Sequence, residues 1–315
     1  MSDLVTLGEA LAVLASTRPQ PLQHAAHLDL RVAGAEMTVA IGNRRLGGTS
    51  TWMGRVATDA LGERIVACLR SEGVDIESVV RDETHQTGLL LREQRTADTS
   101  RVIYYRSHSP GRYLTSADVD CEAVARARML HVSGVTVALS DTASEAVFAA
   151  VEVAREARVP VSLDCNYRAN LWTEAEAGVA LRALARQCTI VFASESELTL
   201  LTSPAGIPDM LDSAAAECGA PHMVATLGGR GAMSRADGVH YSARPRTITQ
   251  VDPIGAGDSF VAGYLNAHLR GLDPDACLDV ANACGAISAS SYGDYEGAPT
   301  WQELASVFEG PDVLR

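Results

Sequence analysis

Residues 251–271 read VDPIGAGDSFVAGYLNAHLRG, and this stretch decides how the rest of the chain is read. A short apolar lead-in, ITQV at residues 248–251, runs into Asp252-Pro253, and three small residues, Gly255, Ala256 and Gly257, then precede Asp258. Phe260, Val261, Tyr264, Leu265 and Leu269 recur at three- and four-residue steps, the pattern of a helix with a buried apolar face. Pro253 and the glycines set a tight turn before it, and Gly271 supplies a stop. The first turn of such a helix presents unpaired N–H groups, and glycine lets an anion come close to them. Asp258 lies in that turn. A carboxylate beside an anion-binding nest suits a base that deprotonates a hydroxyl while the amides receive a transferring phosphoryl group. Glycine-rich turns entering helices are common and Asp is an ordinary first-turn residue, so local physics alone leaves a purely structural turn standing beside the catalytic one.

The chain around this stretch is 315 residues long, enough for one large α/β domain spanning residues 1–315 with a small appendage. Hydrophobic residues make up 47%, in short runs. No stretch approaches the length of a membrane span, and the start, MSDLVTLGEA, has neither the basic nor the apolar region of a secretion signal, so a cytoplasmic protein without membrane partners is expected. The net charge of −13 argues against a nucleic-acid surface, though a local basic pocket for phosphates is compatible with it. Seven cysteines form no CxxC pair and sit among apolar or helical neighbours, which predicts buried free thiols rather than disulfides or a metal site.

Outward from the decisive stretch, apolar strands alternate with helical patterns. Strands are expected at residues 4–7, 129–132, 161–163, 190–192 and 223–227, and helices at 57–72, 116–127, from a capping box Thr142-Ala-Ser-Glu145 to 158, and at 174–187. Such alternation implies βαβ units and a mainly parallel sheet with sites at the strands' C-terminal ends, where Asp164, Asn166 and Arg168 fall. Extended segments at 11–16, 28–32, 74–80, 87–91 and 101–105 lie apart from that block, the last two as a hairpin around the polar REQRTADTS. Gly34 interrupts a strand just before a small-residue helix expected at 38–46, a place for a polar ligand or equally for tight packing. Tyr104 and Arg106 are two apart and so share a strand face. An Arg turned into a cleft there implies a carboxylate or phosphate on the ligand, and a surface Arg beside a packing Tyr is the competing reading.

The motif DPIGAGD resembles the C-terminal signature of the ribokinase-like (PfkB) carbohydrate kinases, in which the second Asp, here Asp258, is the catalytic base. AGAEMTVAIGNRRLG and WMGRVATDALGERI resemble the family's N-terminal substrate-binding signature, with Ala33 in place of a Gly and Thr38 in place of an Asn. The resemblance covers roughly residues 3–308. It implies a three-layer α/β/α fold with a central, mainly parallel sheet and a small β-sheet lid drawn from about residues 10–35 and 84–112, often paired with its counterpart in a homodimer. It also implies ATP and Mg2+ as cofactors, leaves room for a monovalent cation, and makes the partner a small-molecule sugar or sugar acid. VFASESELTLL matches the segment that organises magnesium and phosphates, through Ser194 and, by way of water, Glu197; TLGGRGAM resembles the nucleotide loop, with Thr226 where Lys is frequent and Gly228 and Gly231 in place. Asn282 is placed beside the adenine, Cys284 and Ala286 in tight helix packing, Trp172 in the core, and Asp59 at a helix cap.

Within that family, YYRSHSPGRYL, LDCNYRANLW and GDYEGAP look like segments of the 2-keto-3-deoxygluconate kinases. The resemblance makes Gly34, Thr38, Tyr104, Arg106, Arg168 and Asp294 substrate contacts, and phosphorylation of the primary hydroxyl of 2-keto-3-deoxygluconate the expected reaction. Leu90 departs from the subgroup, which often carries a ligand-contacting Tyr there, and Val13 replaces an Asp common in fructose and ribose kinases. Kinases for fructose, ketodeoxygalactonate or a nucleoside, and a non-catalytic sugar-binding protein, are the alternatives; a Rossmann dehydrogenase would need a glycine fingerprint that GEALAVL lacks.

Overall fold

Strands covered on both faces bury every position, and Leu4–Leu7 and Met129–Ser133 do so throughout. The computed structural model describes residues 1–95 and 100–309. In chain order the strands are β1 (Leu4–Leu7), β2 (Leu11–Ser16), β3 (Leu28–Ala33), β4 (Ser50–Ala57), β5 (Val79–Asp82), β6 (Leu89–Gln94), β7 (Ser100–Tyr105), β8 (Met129–Ser133), β9 (Val161–Asp164), β10 (Ile190–Ser194), β11 (His222–Thr226), β12 (Ala232–Ala236) and β13 (Val239–Ala243). Nine of them form one sheet in the order β13-β12-β11-β10-β9-β8-β1-β4-β5, parallel from β11 to β5 and antiparallel at the β12-β13 edge. The other four form a small sheet, β3-β2-β6-β7.

Alternation along β1 explains the layering. Val5 and Leu7 pack on one face, with the helices Asp141–Glu156, Glu174–Ala185 and Ile207–Cys218. Leu4 packs on the other, with the helices Ala256–Leu269 and Pro274–Ala289. The result is an α/β/α sandwich, the ribokinase-like arrangement. In the small sheet β2 runs antiparallel to β3 and parallel to β6, and β6 and β7 form the expected hairpin, whose residues 96–99 lie outside the described residues. Among the described residues no helix is long and apolar enough to cross a membrane.

Several local expectations need correction. The helix after the first site turn starts at Ala35, not residue 38, because Gly34 already acts as its N-cap. The cap of Asp141–Glu156 is Ser140, whose hydroxyl accepts from the Ala143 N–H at 3.1 Å; Thr142 lies inside the helix. Residues 116–127 divide into a short 3-10 turn, Ser116–Asp118, and the helix Cys121–Arg126, with Asp120 capping the second part. The strand expected at 74–80 overlaps β5 only at Val79 and Val80, and β4 and the β12-β13 hairpin were not anticipated. Asp59 does cap Ala60–Ser71, accepting from the Leu61 and Gly62 amides. All seven cysteines are free; five are buried, Cys68 is half-buried and Cys121 is exposed. Trp172 is half-buried at the edge of the core rather than within it.

Candidate active site

The C-terminal ends of the parallel strands open on a cavity of about 500 Å3. Glu9 follows β1, Asp164 closes β9, Ser194 closes β10 and Thr226 closes β11, and all four line it. Asp258 reaches the same space from the first turn of Ala256–Leu269, and Gly34, Tyr104, Arg106, Arg168 and Asp294 line it as well. A second cavity of about 590 Å3 adjoins it, lined by Gly228, Gly231, Ala256, Asn282, Gly285 and Ala286 among others. Thr226, Pro253 and Gly257 border both cavities, so the glycine turn is where contents of the two would meet.

The turn is held open for such a meeting. Gly255 has φ +76° and a side chain there would meet the Asp294 carbonyl at 1.9 Å, so only glycine fits. At Gly257 an added Cβ would meet nothing within 4 Å, which leaves the first-turn amides accessible to an anion. Gly34 acts by close approach instead: a Cβ there would lie 2.5 Å from the Glu9 carbonyl.

The acidic side chains crowd one another. The Asp258 carboxyl is pushed above its ordinary range by burial, with Glu197 adding to the effect and Arg168 opposing it. Asp164 is raised well above that range, by burial first and by Glu197 and Asp258 next. Asp294 is raised to about 7 by burial and by Asp258. Asn166, left-handed at φ 36°, donates weakly to Asp258 Oδ1 at 3.5 Å, and the strained backbone at a strand end points to a role in aiming that carboxylate. Such a concentration of negative charge suits a divalent cation carried in with nucleotide phosphates, with Asp164 and Glu197 as the carboxylates that would face it. Glu197 accepts from the backbone amides of Tyr167 and Ser194 at 2.6 and 2.7 Å, so its hold on a metal would run through water. No cluster of three or more metal-ligating side chains occurs among the described residues.

The wall opposite is basic and aromatic. Arg106 is buried, lies 5.4 Å from the Tyr104 ring centroid and forms an ion pair with Glu9, which also accepts from the Ser109 hydroxyl. Tyr104 and Arg106 therefore do share a face. Arg168 stands on the acidic side instead, in the loop after β9; it is exposed and acts on Asp164, Asp258 and Asp294 by charge. Leu90 lines the cavity beside them.

Of the residues expected to touch substrate, Thr38 alone is kept from the cavity lining. It is fully buried one turn into its helix and its hydroxyl donates to Asp294 Oδ1 at 3.2 Å, so it holds a cavity residue rather than lining the cavity itself. Ser194 stands at the N-cap of Glu195–Leu201 in a capping box with Glu197. Asn282 lines the second cavity and donates to the Arg244 carbonyl at 2.5 Å. Ala286, expected to fill helix packing, lines that cavity instead, whereas Cys284 is fully buried. Glu9 received no role from the sequence, and Asn166 was placed at a site-bearing strand end without a role of its own. The Gly-Glu pair directly after a fully buried strand was the available signal for Glu9.

A profile of the "pfkB family carbohydrate kinase" matches residues 1–301. The chain is 33% identical to the 2-dehydro-3-deoxygluconokinase of Bacillus subtilis (strain 168), over 96% of this chain and 94% of that protein. Its identity to the enzyme of the same name from Thermoproteus tenax is also 33%, over 98% and 95%. Fructokinase-1 of Zea mays is 32% identical over 88% of each chain. Among solved structures, the PfkB protein from Polaromonas sp. JS666 superposes with a TM-score of 0.87 at 33% identity, covering 97% of this chain and all of that one. A putative ribokinase II from E. coli in complex with ATP and Mg2+ superposes at 0.92 with 23% identity, over 98% and 99%, a likeness of fold.

Proposed function

The chain belongs to the pfkB family of carbohydrate kinases, ATP-dependent phosphotransferases, and from that premise we propose that its acceptor is a sugar acid, 2-keto-3-deoxygluconate or its C4 epimer. The observation that carries the reading is Arg106. Its Nε is buried at the wall of the Asp258 cavity and finds no hydrogen-bond partner among the described residues, while the other arm of the guanidinium pairs with Glu9. A buried, unpartnered donor costs free energy that an acceptor on a ligand would restore, and a carboxylate is the strongest such acceptor. Arg168, lining the same cavity, supplies a second guanidinium. A neutral hexose has no use for two.

In this reading Asp258 accepts the proton of the primary hydroxyl as that oxygen attacks in line, and the amides of the Gly255–Gly257 turn receive the charge of the transferring phosphoryl group. The raised proton affinity of Asp258 suits a base that must take up a proton near neutrality. Asn166 aims the carboxylate, and Thr38 holds Asp294 toward the distal hydroxyls. Gly228, Gly231, Thr226 and Asn282 hold the nucleotide, which Mg2+ accompanies to neutralise phosphate charge. The small sheet acts as a lid that excludes water, and it pairs with its counterpart in a homodimer.

A neutral ketohexose is the second reading, favoured by the fructokinase match and by Leu90, which offers no hydroxyl. A coupled-kinase screen of sugars and sugar acids with ATP, run beside thermal shift, decides between them. 2-Keto-3-deoxygluconate or its C4 epimer is expected to show kcat/KM at least about tenfold above fructose or ribose, the scale of one buried charge-assisted contact. A binding shift without turnover would instead identify a non-catalytic sugar binder.

A further inference from the structure

Asp252 is fully buried at the start of the glycine turn, yet its carboxylate is paired with Arg92 on β6, both guanidinium N–H arms meeting both oxygens. Its oxygens also accept from the Ile254 amide at 3.1 Å and the Gly293 amide at 3.2 Å. One carboxylate thus ties three separate segments: an interior strand of the small sheet, the turn leading to Gly255 and the loop that carries Asp294. Those last two already pack so closely that a side chain at Gly255 would strike Asp294. Arg92 has a firm base, since β6 pairs with β2 and β7 on its two sides and the Ser16 hydroxyl donates to the Arg92 carbonyl at 3.2 Å. Two residues earlier on the same face of β6, Leu90 lines the substrate cavity. Arg92, Leu90, Ile254, Gly293 and Asp294 also enclose a cavity of about 30 Å3, room for a water or two between the sheet and the two loops.

We infer that Arg92 is a positioning residue for phosphoryl transfer: through Asp252 it fixes the Gly255–Gly257 turn and the Asp294 loop relative to the small sheet. A buried carboxylate deprived of its cation is strongly unfavourable, so without Arg92 the turn relaxes toward solvent and the nest loses its geometry. Misplacement of about 1 Å at such a nest costs on the order of 100-fold in rate. The inference rests on the proposed placement of the phosphoryl group over this turn.

The test is Arg92→Ala in the full-length enzyme, assayed with the sugar that gives the native protein its highest turnover. Expected are a kcat lower by roughly 100-fold, KM for the sugar and Kd for ADP within about threefold of native, and recovery of at least about fivefold of kcat by guanidinium chloride but not by urea at equal concentration. Arg92→Lys, which keeps the charge but not the two-armed contact, is expected to lose about tenfold in kcat with an unchanged melting temperature, and it decides the matter should the alanine variant not fold. Native kcat in the lysine variant, a loss in the alanine variant that falls equally on sugar and ADP binding, or equal effects of guanidinium and urea would overturn the inference. Asp258→Asn run in parallel separates the two layers: native turnover there removes the placement of the phosphoryl group, whereas the Arg92 results bear on the latch alone.

Discussion

The two walls of the Asp258 cavity are built on opposite plans. On the side of the large parallel sheet, the proposed chemistry sits in turns at strand ends: the glycine turn before Ala256–Leu269, the loop after β9, the capping box after β10 and the glycine loop after β11. On the side of the small sheet it sits in side chains, Tyr104 and Arg106, completed by Glu9 from the end of β1. Backbone turns present N–H groups that any phosphoryl donor engages, whichever sugar accepts it. Side chains with a fixed fork of donors discriminate among acceptors. The first wall is therefore expected to govern rate, and the second to govern which molecule is turned over.

The sharpest way to break this division is at Asp258. Asp258→Asn is expected to keep the fold and sugar binding while lowering kcat by at least about 100-fold, and to do so by the same factor for acidic and neutral sugars. Single-turnover assays with both classes check it; near-native kcat, or a loss confined to one class, would dissolve the distinction between the walls.

A smaller effect is expected from a carboxyl beneath the large-sheet wall. Glu36 is fully buried, accepts from Ser133 at 2.6 Å and Thr136 at 2.5 Å, and burial raises its pKa from the ordinary 4.5 to about 7. The folded state then holds its proton more tightly than the unfolded chain, so stability is greatest below pH 4.5 as far as this group is concerned and falls as pH rises to about 7. The loss amounts to about 3 kcal/mol at most, or a Tm shift of roughly 5 °C in a chain of this size. Glu36→Gln puts a neutral, non-titrating amide in place of the acid, so the drop in Tm from pH 5 to pH 8 should shrink by about that amount. An unchanged drop, read by calorimetry, would assign it to other carboxyls such as Asp294, also raised to about 7.

The same contrast governs what could be read from the sequence. Turns built of small residues announce themselves locally, which is why Gly34, Gly255, Gly257 and Asp258 were legible: small residues before a helical period mark a tight turn into a helix. Arg106 and Tyr104 were legible as a pair because a strand has period two. What they pair with was not. Glu9, Thr38 with Asp294 and Arg92 with Asp252 join across the fold, the last two over 256 and 160 residues, and nothing in either local sequence names the partner. Arg92 read as part of a polar connection because the strand signal of β6 is strongest in its apolar first half. The β12-β13 hairpin was readable and overlooked: Asp237-Gly238, both at positive φ, sits between two short alternating runs, a strong hairpin signal. Ser140 lost to Thr142 as the expected cap because the box pattern fits the later residue, and only the backbone decides which hydroxyl meets an amide.

Whether the small-sheet wall reads a carboxylate is decided by the ratio of kcat/KM for 2-keto-3-deoxygluconate to that for fructose, measured for the native enzyme and for Arg106→Ala. One desolvated guanidinium–carboxylate contact contributes about 1.5 to 3 kcal/mol, or roughly 10- to 150-fold if it persists in the transition state. The native ratio should therefore be at least about 10, and the variant should fall to within about threefold of unity with its KM for ATP nearly unchanged. A native enzyme that prefers fructose, or a variant that loses both sugars by the same factor, would contradict the claim that the small-sheet wall reads a carboxylate.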